Sequence, residues 1–231
     1  MILKIEKQAD KFSHIGLPNS IVELDTTYRN GKRWYKIPGD KLYPSVTTVT
    51  GWEKREFFAE WRKNNPEESK ISLSRGTEFH SVVEEYLNNK DSLNGQSTDC
   101  ISLFEQFKPL LDDNINNIRA QEVPMYSNLL KLAGRVDCVA DYNGKPSIID
   151  FKTSKSEKKE SWVQDYFAQA TAYSIMWQEM TGESVDQIVI LISSMDGTTQ
   201  EFVKNPVKYV PRLKEMIDGY WNDNIPHDQT V

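Results

Sequence analysis

The stretch that decides the fold is Gly134-Arg135-Val136-Asp137-Cys138-Val139-Ala140-Asp141-Tyr142-Asn143-Gly144-Lys145-Pro146-Ser147-Ile148-Ile149-Asp150-Phe151-Lys152. Two apolar runs, Leu130 to Tyr142 and Pro146 to Thr153, flank Asn143-Gly144, a type I′ turn dipeptide, so they read as a β-hairpin. On a strand, residues two apart share a face. Asp150 and Lys152 therefore point one way, and Ile149 and Phe151 the other. With the turn centred between residues 143 and 144, Asp137 comes to lie opposite Asp150. Two carboxylates meeting at the end of apolar strands are costly unless a cation lies between them. A hard divalent ion such as Mg²⁺ suits such a site, because it takes one or two carboxylates and keeps its waters. A lysine beside it can orient or deprotonate an attacking water, or offset charge on a phosphate. That chemistry is metal-assisted phosphodiester hydrolysis.

Asp-x-Lys alone is more often a surface ion pair, so its neighbours matter. Upstream, Arg75-Gly76-Thr77-Glu78-Phe79-His80 lies on an expected helix, Ile71 to Asn88, whose apolar residues recur at helical spacing. His80 shares a face with Glu84, and its imidazole can join a carboxylate metal site. Glu85 follows on the same helix. Glu122 sits in a strand expected over Gln121 to Ser127, just ahead of the hairpin. Downstream, a charged loop over Lys155 to Lys159 leads into a helix from Trp162 to Met180 that ends before Gly182. On it, Tyr166, Gln169 and Tyr173 form one polar-aromatic stripe, and Val163, Phe167, Ala170 and Ser174 form the expected packing stripe. Gln and Tyr can hydrogen-bond a phosphate or a catalytic lysine, and Tyr can stack on a base.

The ends of the chain complete the layout. Ile21 to Tyr28 alternates, Asn30-Gly31 turns it, and Arg33 to Ile37 returns as a second hairpin. Tyr43 to Thr50 is β-branched and opens into a helix over Lys54 to Lys63. A further helix is expected over Ile101 to Ile118. Val185 to Ser194 is nearly all apolar, as in a strand buried on both faces. Thr198 to Val203 reads as one more strand and Val207 to Trp221 as a final helix. The strand–helix–buried strand unit indicates an α/β (α+β) fold with a central mixed sheet flanked by helices.

Composition narrows the class. The chain has 231 residues, with 28 Lys and Arg against 34 Asp and Glu, a net charge of −6. Its mean hydropathy is −0.61 and its pI about 5.2. At 38% hydrophobic it is too apolar for a disordered chain. It lacks the roughly 18 unbroken apolar residues of a membrane span. Two cysteines cannot hold an iron–sulfur cluster, and they read as free thiols in a reducing compartment. Met1 to Gly16 shows no targeting signal, so a cytoplasmic protein is expected. The acidic balance argues against a broad basic face, not against a basic cleft.

Taken in order, Gly76-x-x-x-His80, Glu122, Gly134-Arg135-x-Asp137, Asp150-x-Lys152 and Gln169-x-x-x-Tyr173 resemble the PD-(D/E)XK nuclease superfamily, in its RecB-like branch. With Tyr43-Pro44-Ser45-Val46-Thr47-Thr48-Val49 and Trp61-Arg62 ahead of them, they are similar to the mitochondrial genome maintenance exonucleases and their phage relatives. The resemblance implies a restriction-endonuclease-like core over residues 71–231, elaborated by a hairpin and helices over 1–70, in one nuclease domain, 1–231. It implies a Mg²⁺ (or Mn²⁺) ion held by His80, Asp137, Asp150 and the carbonyl of Phe151. Lys152 would be the catalytic lysine and Glu122 a further catalytic carboxylate. Gln169 and Tyr173 would support the site and the bound strand. Tyr166, Arg75, Arg135 and Trp61 are candidate DNA contacts, the last within a basic-aromatic set (Lys54, Arg55, Arg62, Lys63, Lys70) suited to a single strand. Val136 stands where the superfamily name has proline. No iron–sulfur cysteines and no Walker lysine motif are present. The implied activity is a DNA exonuclease working from single-stranded ends as a monomer. An endonuclease, a subunit of a repair complex and an idle DNA-end-binding module are the rival readings.

Overall fold

A computed structural model describes residues 10–224. Residues 1–9 lie outside it, so most of the N-terminal stretch read for targeting signals is outside the described residues. The chain opens with an antiparallel sheet of β1 (Thr26–Arg29), β2 (Lys32–Ile37) and β3 (Lys41–Pro44). Asn30 and Gly31 turn β1 into β2 at φ 50° and 71°, the pair of positive angles a type I′ turn needs. The strand expected from Ile21 starts only at Thr26. Ile21 instead closes a turn onto the Pro18 carbonyl (3.0 Å) and buries its side chain.

The β-branched run turns helical just after Pro44, ahead of the expected start at Lys54. The Ser45 hydroxyl accepts the Thr48 N–H at 3.1 Å and caps a short helix, α1 (Val46–Thr50). Val46 and Val49 are fully buried on it, so tertiary packing overrides their strand preference. After a 3₁₀ turn comes α2 (Arg55–Asn64), which buries no residue. Next is α3 (Pro66–Leu87), five residues longer at its start than expected. Pro66 opens it, and Glu67 and Glu68 complement its N-terminal dipole. The following α4 (Thr98–Asn114) stops short of the expected Ile118. Ile115 has left the helix to pair with Tyr142 in a sheet.

That sheet has the order β4 (Ile115–Ser127), β5 (Leu132–Tyr142), β6 (Lys145–Ser154), β7 (Gln187–Ser194) and β8 (Thr199–Lys204). All neighbours are antiparallel except β6 and β7, which α5 (Gln164–Thr181) joins by a crossover. Asn143 and Gly144 supply the expected turn at φ 51° and 72°. Every residue of β7 is buried, as its apolar run implied. The last helix is α6 (Val210–Asn224).

The sheet divides two cores. On one face Val136, Ile148 and Ile190 pack with Phe167 and Trp177 of α5, Leu213 of α6 and Val49 of α1. On the other, Cys138, Ile149, Phe151 and Leu191 meet Phe79 of α3 and Phe107 of α4. Each large side chain buried this way contributes roughly 1.5–3 kcal/mol. Cys100 and Cys138 are unpaired and buried, and burial pushes both thiols up, that of Cys100 to about 11. The alternation along β6 thus commits Ile149 and Phe151 to the α3/α4 core. Asp150 and Lys152 go to the opposite side, under α5.

Candidate active site

The β5–β6 ladder ends at the pair Cys138↔Ile149. Asp137 and Asp150 are the next residues along each strand, so they face one another where the ladder opens. Asp137 Oδ2 accepts the Phe151 N–H at 2.9 Å and closes that opening. On the other flank of β5, Gln121↔Cys138 and Val123↔Val136 bracket Glu122, which stands opposite Asp137. Glu122 has φ 47°, in the left-handed region that costs a non-glycine residue about 1–2 kcal/mol. The guanidinium of Arg135 donates to the Glu122 carbonyl and holds that backbone.

From α3, His80 reaches the same point. Its Nδ1 lies 3.6 Å from Asp137 Oδ2 and 3.7 Å from Glu122 Oε1. One donor atom from each of His80, Glu122 and Asp137 falls within 4.8 Å of the other two. Two carboxylate oxygens and an imidazole nitrogen make a donor set fit for a hard or borderline divalent cation. Burial pulls the His80 pKa down, but the Glu122 and Asp137 carboxylates outweigh it and leave it raised.

Asp150 is 1% exposed. Its Oδ1 accepts the Gln169 amide at 3.0 Å, and its Oδ2 is ion-paired with Lys152. Burial, aided by the Asp137 charge, pushes its carboxyl up to about 6 against the pull of Lys152. The Lys152 pKa is raised too: burial lowers it, yet Asp150 and Asp137 more than offset that. Lys152 Nζ lies 5.2 Å from the Tyr166 ring centre. Tyr173 is 2% exposed and lies against Gly134 so closely that a Cβ there would be 2.8 Å from its hydroxyl oxygen. Burial, with Asp137 and Asp150 nearby, keeps the Tyr173 phenol neutral.

These groups border an open cleft of about 640 Å³. His80, Glu122, Arg135, Asp137, Lys152, Gln169 and Tyr173 line it, and Glu84 joins them one turn beyond His80. Asp150 lies beneath its floor. Tyr166 lines an adjoining groove with Gln169. Trp61 and Arg75, expected as DNA contacts, line neither. On α3, Ser72, Gly76, His80 and Glu84 repeat every four residues and form the cleft face, and Arg75 is turned about 100° from it. On α2, Arg55, Phe58, Ala59 and Arg62 face a neighbouring groove, and Trp61 does not. The α5 stripes also need correction. Residues 167–174 are all buried, so α5 packs on both sides and its polar stripe is embedded in the site.

The expected ligand set was His80, Asp137, Asp150 and the Phe151 carbonyl. Glu122 groups with His80 and Asp137, while the two Asp150 oxygens meet Gln169 and Lys152. Sequence reasoning missed Arg33, which enters the cleft from β2. The bridge Ser45↔Ala133 lays that small sheet beside β5, a tertiary pairing with no local signal.

A mixed sheet that presents an Asp-x-Lys strand beside a His–Glu–Asp cluster has a nuclease fold. More particularly, the chain belongs to the PD-(D/E)XK nuclease superfamily, whose family model matches residues 103–223. Nucleases of this superfamily use divalent metals. The chain is 26% identical over 219 residues to human (Homo sapiens) mitochondrial genome maintenance exonuclease 1, covering 82% of this chain and 63% of that protein. The mouse (Mus musculus) protein of the same name is 31% identical over 140 residues, covering 53% of this chain and 40% of its own. The chain thus spans less than two thirds of the length of these relatives. Among solved structures, a "Putative exonuclease" from Eubacterium rectale overlays with TM-score 0.45 and 14% identity, covering 66% of this chain and 65% of that one. Among the described residues, no helix is long and apolar enough to cross a membrane.

Proposed function

We propose that this chain is a divalent-metal-dependent deoxyribonuclease, an exonuclease that works from single-stranded or frayed DNA ends in replication, repair or recombination. The carrying observation is the convergence of His80, Glu122 and Asp137 beside the buried Asp150–Lys152 pair. His80, Glu122 and Asp137 would hold Mg²⁺ or Mn²⁺, with Asp150 and the Phe151 carbonyl adjoining on the side of Lys152. When bound, such an ion polarises a phosphoryl oxygen and lowers the pKa of a coordinated water.

The chain's own groups supply the remaining roles. Lys152, ion-paired with Asp150, would steady negative charge on the phosphate. Gln169 fixes Asp150 in one rotamer and thereby aims Lys152. Tyr173 presents a neutral phenol for hydrogen bonding at the cleft wall. Arg33 and Arg135 supply phosphate-binding charge that the overall −6 conceals. The whole chain, 1–231, would act as one nuclease domain and as a monomer.

Labelled linear single-stranded DNA, incubated with Mg²⁺ or Mn²⁺ and with chelator, tests this reading. Shortening only in the presence of the metal, abolished by Lys152→Ala, is the expected result. Intact substrate with correctly folded protein overturns it.

A further inference from the structure

The catalytic cleft is not the only groove that nucleic acid could enter. Two others leave it at Thr47, which lines all three. One, of about 660 Å³, runs between the β1–β2 turn and α2 and carries Lys32, Arg55 and Arg62 with Trp52 and Phe58. The other, about 290 Å³, carries Lys54 and Lys158 with Trp162. Their electrostatics differ. In the smaller groove, Lys54 is neutralised by ion pairing with Asp165, which lines the same space. In the larger one, three cations meet a single lining carboxylate, Glu56.

The larger groove holds more positive than negative charge. Lys32 Nζ donates to the neutral amide oxygen of Asn224 at 2.7 Å and sits 4.0 Å from the centre of the Trp52 ring. Arg55 lies at the same 4.0 Å from that ring. Burial and the nearby Arg55 lower the Lys32 pKa. Arg55 is partly answered by Glu56 and Asp223. Among the described residues, Lys32 and Arg62 have no carboxylate within ion-pair distance. Phe58, 44% exposed, offers a ring face in the same groove. Cations that follow a backbone and an exposed ring that takes a base are what a single strand needs.

The link to the cleft is built into β2. Lys32 and Arg33 are consecutive strand residues, so their side chains project to opposite faces. Lys32 lines the second groove and Arg33 the catalytic cleft. We propose that the Lys32–Arg62–Phe58 groove is a second binding site for the same DNA strand, gripping phosphates beyond the scissile one as the strand passes Thr47. This rests on the proposed nuclease activity and adds a strand-length requirement to it.

The test is binding of oligothymidylates of increasing length to the full chain in chelator, where nothing is cut, read by fluorescence anisotropy over a salt series. The unaltered chain should bind longer strands more tightly. Lys32→Gln with Arg62→Gln should remove that gain and reduce the salt slope by about 0.7 for each phosphate no longer neutralised. Phe58→Ala, at an exposed position that does not threaten folding, should weaken the longer strands on the order of tenfold. Unchanged length gain and salt slope in both variants overturn the proposal. So does their loss in Lys158→Gln alone, which would send the strand through the smaller groove. Equal binding of a poly-glutamate peptide would reduce the groove to a general acidic-peptide site and also overturn it. If the unaltered chain neither binds nor cuts single-stranded DNA, the proposed activity itself has failed. If it cuts but the variants bind normally, only the second site has failed.

Discussion

Gln169 on α5 donates its amide to Asp150 Oδ1 at 3.0 Å, and both side chains are buried. This bond ties the crossover helix to the strand end that carries Asp150 and Lys152. Gln169→Leu removes the donor while filling similar space, and leaves Oδ1 unsatisfied. A buried unmet acceptor costs about 1–3 kcal/mol. The expected outcome is a lower unfolding free energy of that order, with kcat falling more than KM rises. Gln169→Glu should be worse for activity, because it adds a third carboxylate beside Asp150 and Asp137. Steady-state kinetics with chemical denaturation of each variant checks both expectations.

Lys152 is the cation that compensates Asp150. Lys152→Met takes that partner away and leaves a buried carboxylate beside Asp137. Breaking a buried pair costs about 3–5 kcal/mol when the remaining group stays charged. Asp150 can instead take a proton, so the loss should be full at pH 8 and much smaller at pH 5. Denaturation midpoints at the two pH values give the comparison. A loss independent of pH would show that Asp150 does not carry the charge.

The pKa directions set how stability follows pH in chelator. Asp150 is raised to about 6 and His80 is raised, so folding favours the protonated form of each. Their contributions are present below the unfolded-state values and are lost as pH rises through the folded ones. From these groups, the protein in chelator should become less stable between pH 5 and pH 8. Added Mg²⁺ should reverse the trend, since a bound cation needs these groups deprotonated. Its stabilising effect should therefore be larger at pH 8 than at pH 5. Melting curves in chelator and in Mg²⁺ read this directly, and Asp150→Asn should flatten the chelator curve.

Gly134 lies against Tyr173. A Cβ at this position would meet the Tyr173 hydroxyl oxygen at 2.8 Å and Cε1 at 2.9 Å, and the ring is too buried to give way. Gly134→Ala should destabilise by about 1–3 kcal/mol, the usual cost of overpacking. Adding Tyr173→Ala should recover part of that cost, and a double-mutant cycle in denaturant measures the coupling. Additive effects would mean the two residues do not press on each other.

The β5–β6 hairpin was legible because its signals are local: an Asn-Gly turn, strict alternation and an apolar run. Those same rules placed Asp137 opposite Asp150 and put Lys152 on the side away from Phe151. What the sequence could not show was tertiary or conformational. The positive φ of Glu122 has no sequence mark, yet it stands where the carboxylate joins His80 and Asp137. The capping bond of Ser45 turned a β-branched run into a helix whose buried face depends on α5 and α6. Arg33 enters the cleft from a small sheet laid beside β5, where Ser45 bridges Ala133. Arg75 and Trp61 carry the right charge and ring, but helical phase turns them away from the cleft.

In the proposed function, the His80, Glu122 and Asp137 cluster with Lys152 cuts DNA from an end. A time course on 5′-labelled and 3′-labelled linear single-stranded DNA, beside closed circular single-stranded DNA, tests it most directly, run in Mg²⁺ and in chelator. The expected result is progressive shortening of the linear strands in Mg²⁺, an untouched circle, and no change in chelator or with Asp137→Asn. Cutting of the circle at a comparable rate, or shortening that persists in chelator, would contradict it.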